Sequence, residues 1–207
     1  FLLRNDPNPA HATRRLSRIF RVHFKRQRTL AIGPDLSHRH TQLRALLATP
    51  AVRKAVSAEA AEKSISLVKA EGNARRYALE IASDYSNTVV QALIIFLDWV
   101  WTRIYDRIEV HNFEQVSRIA AGNSLVYVPC HRSHIDYLLM SYLLFMRGLT
   151  PPHIAAGSNL NMPVVGPILR GGGAFFLRRK LKGAALYSAV FLEYLHMMIE
   201  RGFPIEY

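Results

Sequence analysis

Leu125-Val126-Tyr127-Val128-Pro129-Cys130-His131-Arg132-Ser133-His134-Ile135-Asp136 is the stretch on which the reading of this chain turns. An apolar run stops at Pro129, and imidazoles and a carboxylate follow at once. Leu125 to Val128 read as a short buried strand, and the apolar segment Tyr137 to Met146 reads as a helix, so His131 to Asp136 fall in the turn between them. Turns of this kind lie at the mouth of an α/β sheet, where binding sites collect.

The spacing of His131 and Asp136 has a geometric consequence. Five residues along a regular helix leave two side chains about 140° apart, so the pair cannot meet on one straight helix. With His131 in the loop and Asp136 in the first helical turn, the carboxylate can reach Nδ1 and hold Nε2 outward as a base, the His–Asp half of a hydrolytic triad. The helix N-terminus also favours the ionised carboxylate. The competing reading makes Asp136 a cap of the helix start and His131 a loop histidine; the position directly after a strand favours the first. Cys130 beside His131 would suit an acyl-enzyme route on a thioester, but at the end of a buried strand it reads as a small apolar filler. His131, His134 and Asp136 make a poor metal set, and no metal site is expected.

Downstream, strand and helix alternate. His153 to Gly157 reads as a strand, Pro163 to Arg170 as a loop and short helix, and Ala174 to Leu177 as a strand. Leu186 to Ile199 reads as a helix with Tyr187, Val190, Phe191, Tyr194, Leu195 and Met198 on one side. These are βαβ units and predict an α/β fold. Gly171-Gly172-Gly173, Phe175-Phe176 and Arg178-Arg179 form a second constellation. Guanidinium forks supply paired donors to a phosphate dianion, and Gly173 would let backbone approach a ligand. The alternative is a pair of arginines closing a strand at the surface, with Lys180 and Lys182 solvated.

Upstream, Gln42 to Ile81 is Ala-rich and charged and predicts helices, punctuated at Thr49-Pro50 and at Glu71-Gly72-Asn73. Ser83 to Arg107 is apolar, but Gln91 and Asp98 interrupt it and it falls short of the roughly 20 residues of a bilayer crossing. Trp99 and Trp101 with Arg103 and Arg107 suit a membrane interface. A helix packed on the sheet is the alternative, and the two can hold on different faces. A short helix from Glu114 to Ala120 then leads to the first strand. The expected organisation is a helical, basic region over residues 1–110 and an α/β domain over 111–207.

Half of the 207 residues are hydrophobic, which supports a real core and excludes disorder, and the formal charge of +12 calls for an acidic partner. Nucleic acid, anionic lipid and phosphorylated substrates compete. Between Ala10 and Pro34 there is no acidic residue, while Arg14, Arg15, Arg18, Arg21, Lys25, Arg26 and Arg28 gather among Leu16, Ile19, Phe20, Val22 and Phe24. This basic amphipathic stretch is either a membrane-surface segment or the solvated face of a packed helix. It has no stacking platform or recognised nucleic-acid motif, and no nucleic acid is expected. The single Cys130 excludes an internal disulfide and a cysteine metal cluster and suits a reducing compartment. Phe1 at the start, and Gly202 to Tyr207 stopping inside what reads as a strand, lead us to expect a fragment.

"VPCHRSHIDYLLMSY" from Val128 to Tyr142 closely resembles the first motif of the bacterial membrane-bound glycerol-3-phosphate acyltransferases, and "GGAFFLRRKLKG" from Gly172 to Gly183 resembles their second, in the family's order. "GLTPPHIAAGSNLNMPVVGPILR" between them and "RIFRVHFKRQRTLAIGPDLSHRH" upstream are also similar, so the resemblance covers essentially the whole chain. It implies direct acyl transfer, with His131 as base oriented by Asp136. It places the acceptor phosphate in the motif that holds Gly173, Phe176, Arg178 and Arg179, with Arg179 the principal contact. The implied acceptor is the sn-1 hydroxyl of glycerol 3-phosphate, and the donor is a thioester of acyl carrier protein or coenzyme A. This would be the first step of phospholipid biosynthesis, with no cofactor. Membrane phospholipid at the cytoplasmic face of the inner membrane is the further partner. The family's third and fourth motifs would lie beyond Tyr207. Acylation of lysophosphatidate or dihydroxyacetone phosphate, or a non-catalytic basic membrane-binding module, are the alternatives.

Overall fold

The computed structural model describes residues 39–105, 108–120, 122–130, 133–179 and 184–207. The basic stretch Arg14 to Arg28, Arg107, His131 and Lys180 to Lys182 lie outside them, so the expectations for those residues do too.

Three helices open the described chain: α1 (Arg39–Ala48), α2 (Pro50–Glu62) and α3 (Leu67–Ile81). Pro50 starts α2 after Thr49, where a missing N–H costs no helical bond. The break expected at Glu71-Gly72-Asn73 falls earlier. It lies at Lys63 to Ser66, where Ser64 adopts a φ of +50° and Ser66 caps α3 by accepting from the Lys69 N–H. Ala70, Ala74, Ala78 and Ile81 recur at helical spacing as one buried stripe. Burying that stripe outweighs the roughly 1 kcal/mol that one exposed glycine costs inside a helix.

Helix α4 (Asn87–Ile104) turns Val90, Ile94, Leu97 and Trp101 inward, whereas Trp99 is exposed and stacks on exposed Phe96. One tryptophan belongs to the core and the other to the surface. After α5 (Phe113–Ala120) come β1 (Val126–Tyr127), α6 (His134–Met146), β2 (His153–Gly157), a 3-10 turn (Ser158–Leu160), α7 (Val165–Gly171), β3 (Phe175–Leu177), α8 (Ala185–Glu200) and β4 (Ile205–Glu206). All strand pairs are parallel, in the order β1-β4-β2-β3. This is the expected α/β class, and the last strand enters between β1 and β2.

The sheet separates two layers. Phe175 and Ile205 pack with α1, α2, α3 and α8 in the main core, through Leu46, Val52, Ile81, Tyr187, Val190 and Tyr194. On the other side Ala156, Ala174 and Phe176 pack with Leu160 and Leu169, and α4 packs on α6 through Trp101 and Tyr142. The helices before residue 110 therefore cover both layers. Two burial expectations are corrected. β1 pairs only with β4 among the described residues and lies at the sheet edge, so Val126 and Val128 are 55% and 75% exposed. Cys130 is likewise exposed and is not a core filler. An apolar Val-Tyr-Val run reads the same at an edge as in the centre.

Candidate active site

The first motif is organised by the start of α6. Ser133 is the N-cap, its hydroxyl accepting from the Ile135 N–H at 3.2 Å, while Asp136 Oδ2 accepts from the Ser133 N–H at 2.9 Å. This reciprocal capping box fixes Asp136 in the first turn of a helix, where the dipole favours its anion. The capping reading of Asp136 is thus observed. The expected contact of Asp136 with His131 involves a residue outside the described set.

The second motif is anchored by a residue to which the sequence assigned no role. Arg170, 9% exposed, donates to the carbonyls of Leu79, Glu80 and Ala82 and to Asn161 Oδ1. These carbonyls lie at the C-terminal end of α3, where helical partners run out and a cation is favoured. The guanidinium lies 4.6 Å from the centre of the Phe176 ring. Phe176 is therefore held in the core layer beneath the site, with none of its surface exposed. Gly173 adopts a φ of +105°, and a Cβ there would lie 3.4 Å from Tyr85 Cδ2. Its freedom makes the turn from α7 into β3 against Tyr85.

Arg178 and Arg179 leave β3 in different directions. The Arg178 fork grips Glu80, Nε to Oε1 at 2.7 Å and Nη2 to Oε2 at 2.6 Å, with its charge 5.1 Å and 4.8 Å from the Tyr77 and Tyr187 ring centres. Arg179 is exposed and lines a cavity of about 580 Å³. Ser133, the N-cap, and Tyr137, Leu138 and Ser141 of α6 line the same cavity, as do Val90, Leu93, Ile94 and Leu97 of α4. Ile154, Ala156, Leu169, Gly172 and Tyr207 contribute to the remaining wall. The volume is that of an ordinary small-molecule site, and its wall is mostly hydrocarbon. Of the four residues expected to contact the acceptor, Arg179 lines this cavity, as does the neighbouring Gly172, while Gly173, Phe176 and Arg178 are not in its wall.

A buried polar chain ties the start of β2 to α8 through the loop that follows α3. His153 Nδ1 lies 3.2 Å from Ser83 Oγ, which lies 3.1 Å from Tyr194 Oη. Burial pushes the His153 imidazole down to about 4, so it is neutral at physiological pH. Two contributors escaped the sequence reading. Arg170 and Glu80 act on residues far along the chain and carried no local signal.

Residues 107–207 match a family model described as Acyltransferase. The chain is 57% identical, over 206 residues covering all of it, to a glycerol-3-phosphate acyltransferase of Ectopseudomonas mendocina. It is 55% identical over the same length to the enzyme of that name from Pseudomonas putida strain GB-1. Over 194 residues, 94% of the chain, it is 59% identical to that of Pseudomonas aeruginosa strain LESB58. The chain spans about a quarter of the length of these curated relatives, 25% of the first.

Proposed function

Taking residues 107–207 as belonging to the acyltransferase family, we propose that the protein carrying this chain is a glycerol-3-phosphate acyltransferase. It moves a fatty acyl group from a thioester of acyl carrier protein or coenzyme A to the sn-1 hydroxyl of glycerol 3-phosphate. One observation carries the reading: Ser133 and Tyr137 of the first motif and Arg179 of the second line a single cavity whose wall is otherwise mostly apolar. The reaction needs a base beside a hydroxyl, a cation for a phosphate and apolar room for an acyl chain; Arg179 offers the cation, the apolar wall offers the room, and the motif to which His131 belongs borders both through Ser133 and Tyr137.

In this mechanism His131, oriented by Asp136, takes the proton of the attacking hydroxyl as its oxygen adds to the thioester carbonyl. Collapse forms the ester, breaks the C–S bond, and returns the proton to the departing thiolate. Arg179 pairs with the phosphate, and Leu93, Leu97 and Leu138 offer the chain its surface. The exposed Ile95, Phe96, Trp99 and Ile104 of α4, with Arg103, suit an interfacial position on the cytoplasmic leaflet. No helix among the described residues is long and apolar enough to cross a membrane.

The test is acyl transfer by the purified protein to glycerol 3-phosphate, lysophosphatidate and dihydroxyacetone phosphate. Glycerol 3-phosphate is the expected preferred acceptor, and His131→Ala is expected to lower turnover by a thousandfold or more. Undiminished turnover in that variant, or preference for another acceptor, overturns the reading.

A further inference from the structure

The turn after β2 carries two asparagines that are used differently. Asn161 Oδ1 accepts from Arg170 Nη2 at 3.2 Å, so that amide belongs to the frame around Phe176. Asn159, in the 3-10 turn Ser158–Leu160, lines the cavity, is exposed, and forms no side-chain hydrogen bond with another described residue. Its amide is nevertheless placed. A Cβ on Gly157 would lie 2.5 Å from Asn159 Oδ1, so the side chain folds back over the end of β2 into the room that a side chain at residue 157 would fill. The backbone there does not require glycine, since a φ of −63° and a ψ of 142° are open to any residue. What the glycine supplies is space for the amide. Gly157 is paired with Leu177, so β2 and β3 end side by side, and Asn159 and Arg179 each follow a strand end by two residues. Leu160 packs on Ala156, Ala174 and Phe176 and fixes the turn against β3. With parallel strands about 4.8 Å apart, this sets the amide beside the guanidinium at the carboxyl edge of the sheet, where ligands bind. Both line one cavity.

We propose that Asn159 is a specificity residue for the acceptor, hydrogen-bonding the hydroxyl of the glycerol phosphate that is not acylated. Arg179 holds the phosphate, and a single methylene separates the phosphate ester oxygen from the carbon that bears this hydroxyl, so a group beside the arginine is within its reach. A hydroxyl both donates and accepts, and a carboxamide offers a donor and an acceptor, so each satisfies the other. A phosphate dianion would use only the amide N–H groups and would repel the amide oxygen. An acyl chain would use neither. Other polar groups of the wall suit the role less: the Ser133 hydroxyl is engaged as the cap of α6, and Ser141 Oγ is closed off from solvent. A site built to bond a hydroxyl rejects the analogue lacking it far more strongly than an apolar pocket does.

The inference rests on the acyl-transfer reading above, and its experiment separates the two. Glycerol 3-phosphate and propane-1,3-diol monophosphate, which lacks the middle hydroxyl, are compared as acceptors for the protein carrying this chain and for its Asn159→Ala, Gly157→Ala and doubly substituted forms. The wild type should favour glycerol 3-phosphate in kcat/KM by roughly tenfold or more. Asn159→Ala should remove most of that preference by lowering kcat/KM for glycerol 3-phosphate, with the value for the analogue and the KM of the acyl thioester unmoved. Gly157→Ala should act in the same direction, because its methyl displaces the amide, and the double variant should be no worse than Asn159→Ala. The melting temperature of Asn159→Ala should match that of the wild type, since the side chain is exposed and bonds no described residue. An unchanged preference in Asn159→Ala, an equal loss for both acceptors, or a lowered melting temperature overturns this proposal while leaving the acyltransferase intact. Losses that add in the double variant also overturn it, since the amide would then not be placed over Gly157. A wild-type protein that acylates neither acceptor sinks the reading on which the proposal rests.

Discussion

Arg178 and Glu80 close a two-pronged ion pair between the rings of Tyr77 and Tyr187, so that of two adjacent arginines one is tied to α3 and the other faces the cavity. The two substitutions should fail differently. Arg179→Ala is expected to raise the KM for glycerol 3-phosphate at least tenfold, because a phosphate grip acts in the ground state and the transition state alike. Arg178→Ala should instead cost about 1 kcal/mol of stability, the pair being partly exposed, with little change in that KM. Glu80→Ala should cost a similar amount, and the double variant little more. Steady-state kinetics and urea denaturation check this; a large KM effect from Arg178→Ala with stability intact would reverse the assignment.

Arg170 satisfies the carbonyls of Leu79, Glu80 and Ala82 and covers Phe176. Arg170→Ala leaves those acceptors and the ring without their partner and is expected to cost about 3 kcal/mol. Arg170→Lys should recover only a minor part, since a single ammonium cannot reproduce the planar fork. Unfolding midpoints of the three proteins decide it.

Gly72 lies exposed inside α3, and a Cβ there meets nothing within 4 Å. Gly72→Ala is therefore expected to stabilise the protein by about 0.5–1 kcal/mol. Acyl transfer should be unaffected. A destabilised variant in thermal melts would contradict the open, helical placement of this residue.

Two buried groups should tilt the pH dependence of stability in opposite directions. His153 titrates near 4 in the fold against 6.5 ordinarily, so between these values the unfolded chain binds more protons. Its contribution is complete above 6.5 and is lost as pH falls toward 4. Glu206 titrates near 7 in the fold against 4.5 ordinarily, so there the folded chain binds more protons, and stability falls as pH rises from 4.5 to 7. In the wild type the two slopes oppose each other. In Glu206→Gln the His153 slope stands alone, and stability should climb between pH 5 and 6.5 by up to roughly 1.4 kcal/mol per unit more steeply than in the wild type. Urea denaturation across that range is the measurement.

Most of the element order was legible in the chain because its signals are local. The apolar run ending at Pro129, the alternation from His153 to Leu177, and the helical face from Tyr187 to Met198 each declare themselves within a few residues, and each element is where it was expected. A capping role for Asp136 was also legible, because Ser133 and Asp136, three residues apart, form a box within one helical turn, although Ser133 as the N-cap was not singled out. Gly72 shows the limit of such reading. Its local helix-breaking tendency was overridden by a stripe of alanines whose value appears only when another helix covers it.

What the tertiary structure decided concerns partners distant along the chain. Arg178 finds Glu80 across a sequence separation of 98 residues, and Ser83 finds Tyr194 across 111. Periodicity states that a side chain is buried or exposed but not what meets it there, so the two arginines of the second motif could not be told apart. The same holds for the sheet. That β1 lies at the edge, and that β4 enters between β1 and β2 and encloses Glu206, depends on where the crossovers carry each strand. No local pattern encodes this, because the competing arrangements present the same apolar faces and differ only in which of them are brought together.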